Sequence, residues 1–280
     1  MLSESAHITF MTVPLHGHVN PLLGMVTELV ARGHRVSFAI NDDFASLAKD
    51  AGASVVLYES TFPSSSSPER GWLEAGHDAA QAAKVFRDEF VSVLPQLETA
   101  YAGDEPDLVV YDTVAAHAPV LAAAWGVPEV QISPTHVFYD GVEAETGATV
   151  ALGDRRLGLR RKPCVVTIPR SVQLHADRVG GGCQFVGPIV SPRRVDGTWT
   201  APDDWPVVLV SLGSAYNKRP EFFSACAAAF EGTGWRVVMS IGRFFDPAEL
   251  GELPPNVEVH PWVPQLDVLA SAKGACRRAG

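Results

Sequence analysis

Basic residues are in deficit: 22 Lys and Arg stand against 32 Asp and Glu among 280 residues, a formal charge of −10. A phosphate backbone needs a concentrated basic face, so this balance argues against a nucleic-acid partner. It leaves a nucleotide open, because backbone N–H groups and helix N-termini hold phosphates without net positive charge. Cysteine is scarce as well. Cys164, Cys183, Cys226 and Cys276 form no CxxC and no ligand-like spacing with histidine, which points away from a disulfide framework and toward a reducing compartment. No apolar run approaches bilayer-spanning length, and the N-terminal MLSESAHITF has no basic n-region. Neither a membrane span nor a signal peptide is expected, and the expected location is the cytoplasm. What is present is ordinary for a globular chain, with 46% apolar and 19% charged residues and a length that allows two domains.

The order of elements indicates α/β units. His7–Val13 reads as a strand, and Asn20-Pro21 as a helix start with Asn as cap and Pro at the first helical position. Leu22, Leu23, Met25, Val26, Leu29 and Val30 recur at helical spacing until Gly33. Strands follow at Arg35–Ile40 and Ser54–Tyr58, with a short helix through Ala45–Lys49 between them. A long helical region is expected from about Leu73 to Ala102, broken near Pro95. Leu108–Tyr111 is a buried-type strand ending at Asp112, before a helix over Ala115–Trp125 and a strand at Glu129–Ile132. Cys164–Ile168 and Gln184–Val186 resume as strands. Residues 190–205 carry Pro, Gly and charge without an apolar period and read as a linker between a domain at 1–189 and a second at 206–280. The second opens with Val207–Ser211, a helix over Glu221–Phe230, and strands at Trp235–Ile241 and Val257–His260. Strands alternating with helices in this way specify parallel sheets.

Four features carry chemistry. His16-Gly17-His18-Val19-Asn20-Pro21 lies between the first strand and its helix, at the sheet end where α/β ligands bind. His18 can serve there as a general base, although a histidine that only packs or caps is the plainer reading of the motif alone. Asp112, at the same end of its own strand, can hold the far imidazole nitrogen and fix the tautomer, or can simply cap its turn. With no G-x-S-x-G elbow and no suitably placed Cys, such a pair suits deprotonation of a substrate hydroxyl. His16-x-His18 lacks further ligands for a metal, and none is expected. Ser211-Leu212-Gly213-Ser214 is a strand-to-turn signal in which Gly lets backbone approach a phosphate and Ser214 offers a hydroxyl and an N–H. Trp262-Val263-Pro264-Gln265 offers an indole to stack on a base, main-chain groups at Val263 to read the base edge, and Gln265 for a ribose. A Trp that anchors a loop explains Trp262 equally well.

Together these stretches resemble the family-1 UDP-glycosyltransferases, in particular the macrolide glycosyltransferases of actinobacteria. The resemblance is carried by His7–Ile40, Pro106–Pro134, FVGPIV, Val207–Phe223 and Gly242–Ala270, in that order. It implies a GT-B fold: two Rossmann-like parallel-sheet domains, the first for the acceptor and the second for the nucleotide sugar, with the active site in the cleft between them. It implies that His18 is the base for an acceptor hydroxyl and Asp112 its orienting carboxylate, with inverting transfer in a single displacement. Ser214 would contact the donor diphosphate, Trp262 would stack on the base, and Val263 and Gln265 would contact the nucleotide. UDP-glucose or another nucleoside-diphosphate sugar would be the donor substrate, with no separate cofactor. A macrolide hydroxyl would be the acceptor, and glucosylation would inactivate the antibiotic. Partners are limited to these small molecules and a second copy of the chain.

Two departures qualify the expectation. After Leu269 the family continues with a strand and a His-Ala-Gly-type turn that grips the donor, whereas SAKGACRRAG reads as an unrelated tail, as from a frameshift or premature stop. The second domain is therefore expected to be incomplete, with an apolar sheet edge exposed and transfer weak or lost. Residues 144–162 are also shorter than the family's helical region over the acceptor. A macrolide-binding module without turnover is the alternative function. A hydrolase or epimerase on the same frame is a third.

Overall fold

The computed structural model describes residues 5–62, 79–142, 163–189, 198–214, 217–242 and 246–276. Among them the chain forms two compact units, one built on a seven-stranded sheet and the other on a four-stranded sheet.

The first unit runs β1 (His7–Met11), α1 (His16–Ala31), β2 (Arg35–Ile40), α2 (Asp42–Asp50), β3 (Ser54–Leu57), α3 (Ala79–Ala100), β4 (Leu108–Asp112), α4 (His117–Trp125), β5 (Glu129–Ser133), β6 (Cys164–Val166) and β7 (Cys183–Phe185). The strands pair in parallel in the order β3-β2-β1-β4-β5-β6-β7. β1 is central and buried on both faces, and its period of two divides the core. Ile8 and Phe10 join Val19, Leu22, Leu23 and Val26 of α1, with Phe10 stacked on Phe38 at 5.9 Å. Met11 faces the other way, toward Val93 and Leu97 of α3 and Ala118 and Leu121 of α4.

Pro95 does not break α3, which runs through it from Ala79 to Ala100. The missing N–H and the ring clash cost a mid-helix Pro about 3 kcal/mol. Full burial of Val93 and Leu97 on either side opposes that penalty, each contributing roughly 1.5–3 kcal/mol. At the opposite sheet end from the Met11 terminus, Tyr101 ties the end of α3 to the sheet. Its hydroxyl lies 2.5 Å from Thr9 Oγ1 and 3.2 Å from Ser37 Oγ, and Ser37 Oγ is 2.8 Å from His7 Nε2. Arg35 donates to His7 Nδ1 at 2.7 Å, so Nε2 carries the imidazole proton; burial first and Arg35 second hold His7 below the usual imidazole range.

The second unit runs β8 (Val207–Ser211), α5 (Pro220–Phe230), β9 (Arg236–Ser240), β10 (Val257–His260), α6 (Gln265–Ser271) and β11 (Ala272–Cys276), all strands parallel in the order β10-β9-β8-β11. Val208, Val210, Val237 and Met239 pack on Phe223 and Ala227 of α5, while Val207, Leu209 and Val238 meet Val263, Val268 and Trp199. Trp199 also bonds Asp267 through its main-chain N–H and Glu258 through its indole. This part of the stretch expected to link the domains is thus fastened to the second unit; residues 190–197 lie outside the described set, as do 144–162.

SAKGACRRAG, in which sequence reading placed no strand, contributes one to this sheet, while residues 277–280 lie outside the described residues. Its first residue closes α6, and Ala272–Cys276 pairs along β8. The apolar β8 is therefore flanked on both sides rather than left as an edge; the edge strand is the short AKGAC, with Lys273 exposed on it, a composition that discourages further pairing.

No helix among the described residues is long and apolar enough to cross a membrane.

Candidate active site

In the first unit the strand order reverses between β1 and β4: the chain steps outward from β1 through β2 to β3, then returns to β4 on β1's other side. The carboxyl ends of strands at such a switch point form the crevice that α/β sheets use for ligands. His18 and Asp112 both come to this place.

His18 arrives from β1. Leu15 N–H donates to Val13 O at 2.8 Å, and Leu15 O accepts from His18 and Val19 N–H at 2.9 Å each. α1 therefore begins at His16, and the expected cap at Asn20 does not form, since Pro21 lies inside the helix. Pro21 forgoes one intrahelical bond, to Gly17 O, while the earlier start sets Val19 fully into the core. Tertiary packing overrides the local capping signal.

Asp112 ends β4, whose Tyr111 is in register with Met11 of β1. It is fully buried, and its Oδ2 lies 2.9 Å from His18 Nδ1. The other oxygen, Oδ1, accepts Val114 N–H at 2.9 Å. A carboxylate only accepts, so His18 Nδ1 carries the proton and Nε2 keeps a lone pair. Nε2 makes no hydrogen bond to the described residues, and the His18 side chain remains 21% exposed. Such a pair can act chemically as an oriented base through Nε2. His16 turns elsewhere, its ring meeting Phe44 edge-on at 4.8 Å. Among the described residues no cluster of His, Cys, Asp or Glu is arranged to hold a metal ion.

In the segment after Asp112, His117 opens α4 and is buried, with no hydrogen bond to Nε2 among the described residues. Burial pulls its pKa down to about 4. Sequence reading passed over it, and its place at a helix start gave no sign of burial.

The other sequence-selected residues lie in the second unit, all beyond the carboxyl ends of its strands. Ser214 is half-buried in the turn after β8, where Gly213 N–H donates to Ser211 Oγ at 3.2 Å. Trp262 follows β10 and is half-buried; Val263 is packed in the core, leaving its main chain for contacts; Gln265 is exposed as the first residue of α6. Because β11 lies on the other side of β8, the strand order reverses here too, next to the Ser214 turn.

Sequence reading missed Asn217, which joins the two glycine turns of this rim. It is fully buried and donates from Nδ2 to Gly213 O at 2.8 Å, and its side chain fills the space a Cβ at Gly242 would occupy, 2.2 Å away. Gly242 also has φ +82°, a left-handed conformation that favours glycine. Gly242→Ala is expected to destabilise the second unit by about 2 kcal/mol through strain and overlap. Urea unfolding compared with wild type measures this, and an unchanged midpoint would contradict it.

Comparison with known proteins gives a consistent set of relatives. No protein-family model matches the chain. It is 40% identical over 304 aligned residues to oleandomycin glycosyltransferase of Streptomyces antibioticus, covering 98% of the chain and 70% of that enzyme. It is 32% identical to NDP-glycosyltransferase YjiC of Bacillus licheniformis, covering 95% and 73% respectively. Among solved structures, the glycotransferase of kitacinnamycin superposes with a TM-score of 0.79 at 35% identity, covering 98% of the chain and 75% of that structure. The calicheamicin glycosyltransferase CalG4 gives 0.74 at 36% identity, with the same coverage.

Proposed function

Because the chain belongs to the nucleoside-diphosphate-sugar glycosyltransferases of GT-B type that include oleandomycin glycosyltransferase, we propose that it moves glucose from UDP to a hydroxyl of a macrolide, with inversion. The observation that supports this best is the 2.9 Å bond between His18 Nδ1 and the buried Asp112, with Nε2 left open. The acceptor hydroxyl gives its proton to His18 Nε2 as its oxygen attacks the anomeric carbon. The bond from that carbon to the β-phosphate oxygen breaks, and UDP departs with the electron pair. Asp112 stabilises the imidazolium so formed. On the donor side, the Ser214 hydroxyl and N–H serve the diphosphate, Trp262 stacks on uracil, Val263 main chain reads the base edge and Gln265 bonds the ribose. UDP-glucose is a substrate here, and no further cofactor enters the scheme. Inactivation of an antibiotic, a cytoplasmic location and a homodimer belong to the same proposal.

Incubation with UDP-glucose and oleandomycin tests it. The expected products are UDP and a β-glucoside of the macrolide in equal amounts. The aligned segment spans 70% of oleandomycin glycosyltransferase, so the assay is run on the whole product of the gene and on these 280 residues, for which weak or absent turnover is proposed. Macrolide binding without transfer by the whole product would leave only a binding module, and sugar-nucleotide cleavage without acceptor would indicate a hydrolase. Trp262→Ala is expected to weaken UDP binding about tenfold or more, as loss of a base–aromatic stack does. Calorimetry with UDP reads this, and an unchanged Kd would return Trp262 to a loop anchor.

A further inference from the structure

α3 places a carboxylate on its apolar stripe. Glu89, Val93 and Leu97 recur every four residues, Tyr101 continues the spacing just past the helix, and all four are buried. A charged group in that position is costly unless hydrogen-bonded. Its partners come from the segment that follows β3. Ser60 Oγ donates to Glu89 Oε1 at 2.8 Å, and Thr61 donates twice to Oε2, from its main-chain N–H at 2.6 Å and its hydroxyl at 2.8 Å. Two turns along the helix, Gln96 Oε1 accepts Glu59 N–H at 2.8 Å and Gln96 Nε2 donates to Glu59 O at 3.0 Å. Phe62 closes edge-on against Phe86 at 5.4 Å. Side chains of α3 thus pair with the main chain of Glu59 and Thr61 and with the hydroxyls of Ser60 and Thr61.

This segment belongs to the same rim as the base. Tyr58, at its start, is buried and donates to Thr12 O at 3.1 Å, and Thr12 is the residue by which β1 enters the His18 turn. Burial first and the Glu89 carboxylate second push the Tyr58 hydroxyl well above its usual range, so it stays a donor. The pinned chain therefore starts at the carboxyl ends of β3 and β1, the sheet end from which the His18 turn also leaves. A buried charge is weak evidence of added stability and is better suited to fixing one geometry among several. We propose that Glu89 is a positioning residue for the acceptor: by clamping residues 60–62 to α3, it fixes the wall against which a macrolide is held at His18. The inference rests on the proposal that the first unit takes a macrolide.

Glu89→Gln keeps the shape but turns one acceptor into an NH2 donor facing the Ser60 and Thr61 donors. Calorimetry on the 280-residue chain with oleandomycin and, separately, with UDP is the readout, alongside Tm. Glu89→Gln is expected to raise the oleandomycin Kd about tenfold or more, as misplacement of a positioning element does, with the UDP Kd unchanged. The double variant Ser60→Ala with Thr61→Val, which keeps the main-chain bond to Glu89, is expected to fall between it and wild type. A lowered Tm with an unchanged oleandomycin Kd would make Glu89 purely structural and overturn the proposal. Should Glu89→Gln fail to fold, the double variant decides by itself, and an unchanged Kd there overturns it equally. Absence of oleandomycin binding by wild type would instead remove the acceptor assignment on which the inference rests.

Discussion

Alanine in place of His18 is expected to lower macrolide glucosylation by about 10²–10⁴-fold, the usual contribution of a positioned general base. In the proposed reaction the acceptor hydroxyl is a poor nucleophile until its proton leaves, and His18 Nε2, with Nδ1 bonded to Asp112, would take that proton. Binding of UDP and of macrolide should persist, so the loss falls on kcat. Asp112→Asn sharpens the test. An Asn amide can donate to Nδ1, which moves the imidazole proton to Nε2 and removes the basic lone pair while keeping the ring in place. A comparable loss is expected, although the shape of the site is nearly unchanged. Retention of more than about a tenth of wild-type kcat by His18→Ala would lie below the range of base catalysis and would end the assignment.

Acid should destabilise the first unit more steeply than its surface charges alone require. In an unfolded chain His117 titrates near 6.5; in the fold, burial lowers it to about 4. Between those values the unfolded state binds the proton and the folded state does not, so stability falls as pH drops from about 7 to about 4. At 1.36 kcal/mol per pH unit the loss is about 3 kcal/mol, and below pH 4 His117 adds no further slope. His7, also held below its usual value, acts with the same sign. His117→Leu keeps an apolar side chain in place without a titrating group, and is expected to flatten the acid slope by about 3 kcal/mol. Pulse proteolysis in urea at pH 7 and pH 4, with fragments weighed to distinguish the two units, measures it. Equal slopes for both proteins would refute the linkage.

The apolar alternation of the chain foretold the central strands closely, and β2 and β10 fall on their expected residues. Asp112 could be found because a buried run, Leu-Val-Val-Tyr, ends on it. Local signals failed where tertiary packing opposed them: Asn20-Pro21 as a helix start, and Pro95 as a break. β11 was missed because Ala-Lys-Gly-Ala-Cys has little strand propensity of its own and gains its structure from β8. Glu89 left a trace that was overlooked, since it sits four residues before Val93 on the stripe that must be buried. Asn217 and His117 left none. Their burial depends on Gly213 and Gly242, 29 residues apart in sequence, and on the depth of the sheet end.

The bond between His18 and Asp112 joins residues 94 positions apart, across strands β1 and β4 whose first paired residues are Ile8 and Leu108. Closing a loop of that size costs roughly 4 kcal/mol of chain entropy before any contact across it is gained. Folding of the first unit is therefore slow relative to its helices, because β1 must wait in the nascent chain for β4 before the sheet has a centre. A fragment ending short of β4 would carry the imidazole but no means of choosing its tautomer. Formation of the His18–Asp112 bond during refolding would accordingly mark the moment the central strands meet, making this pair a built-in clock for completion of the sheet.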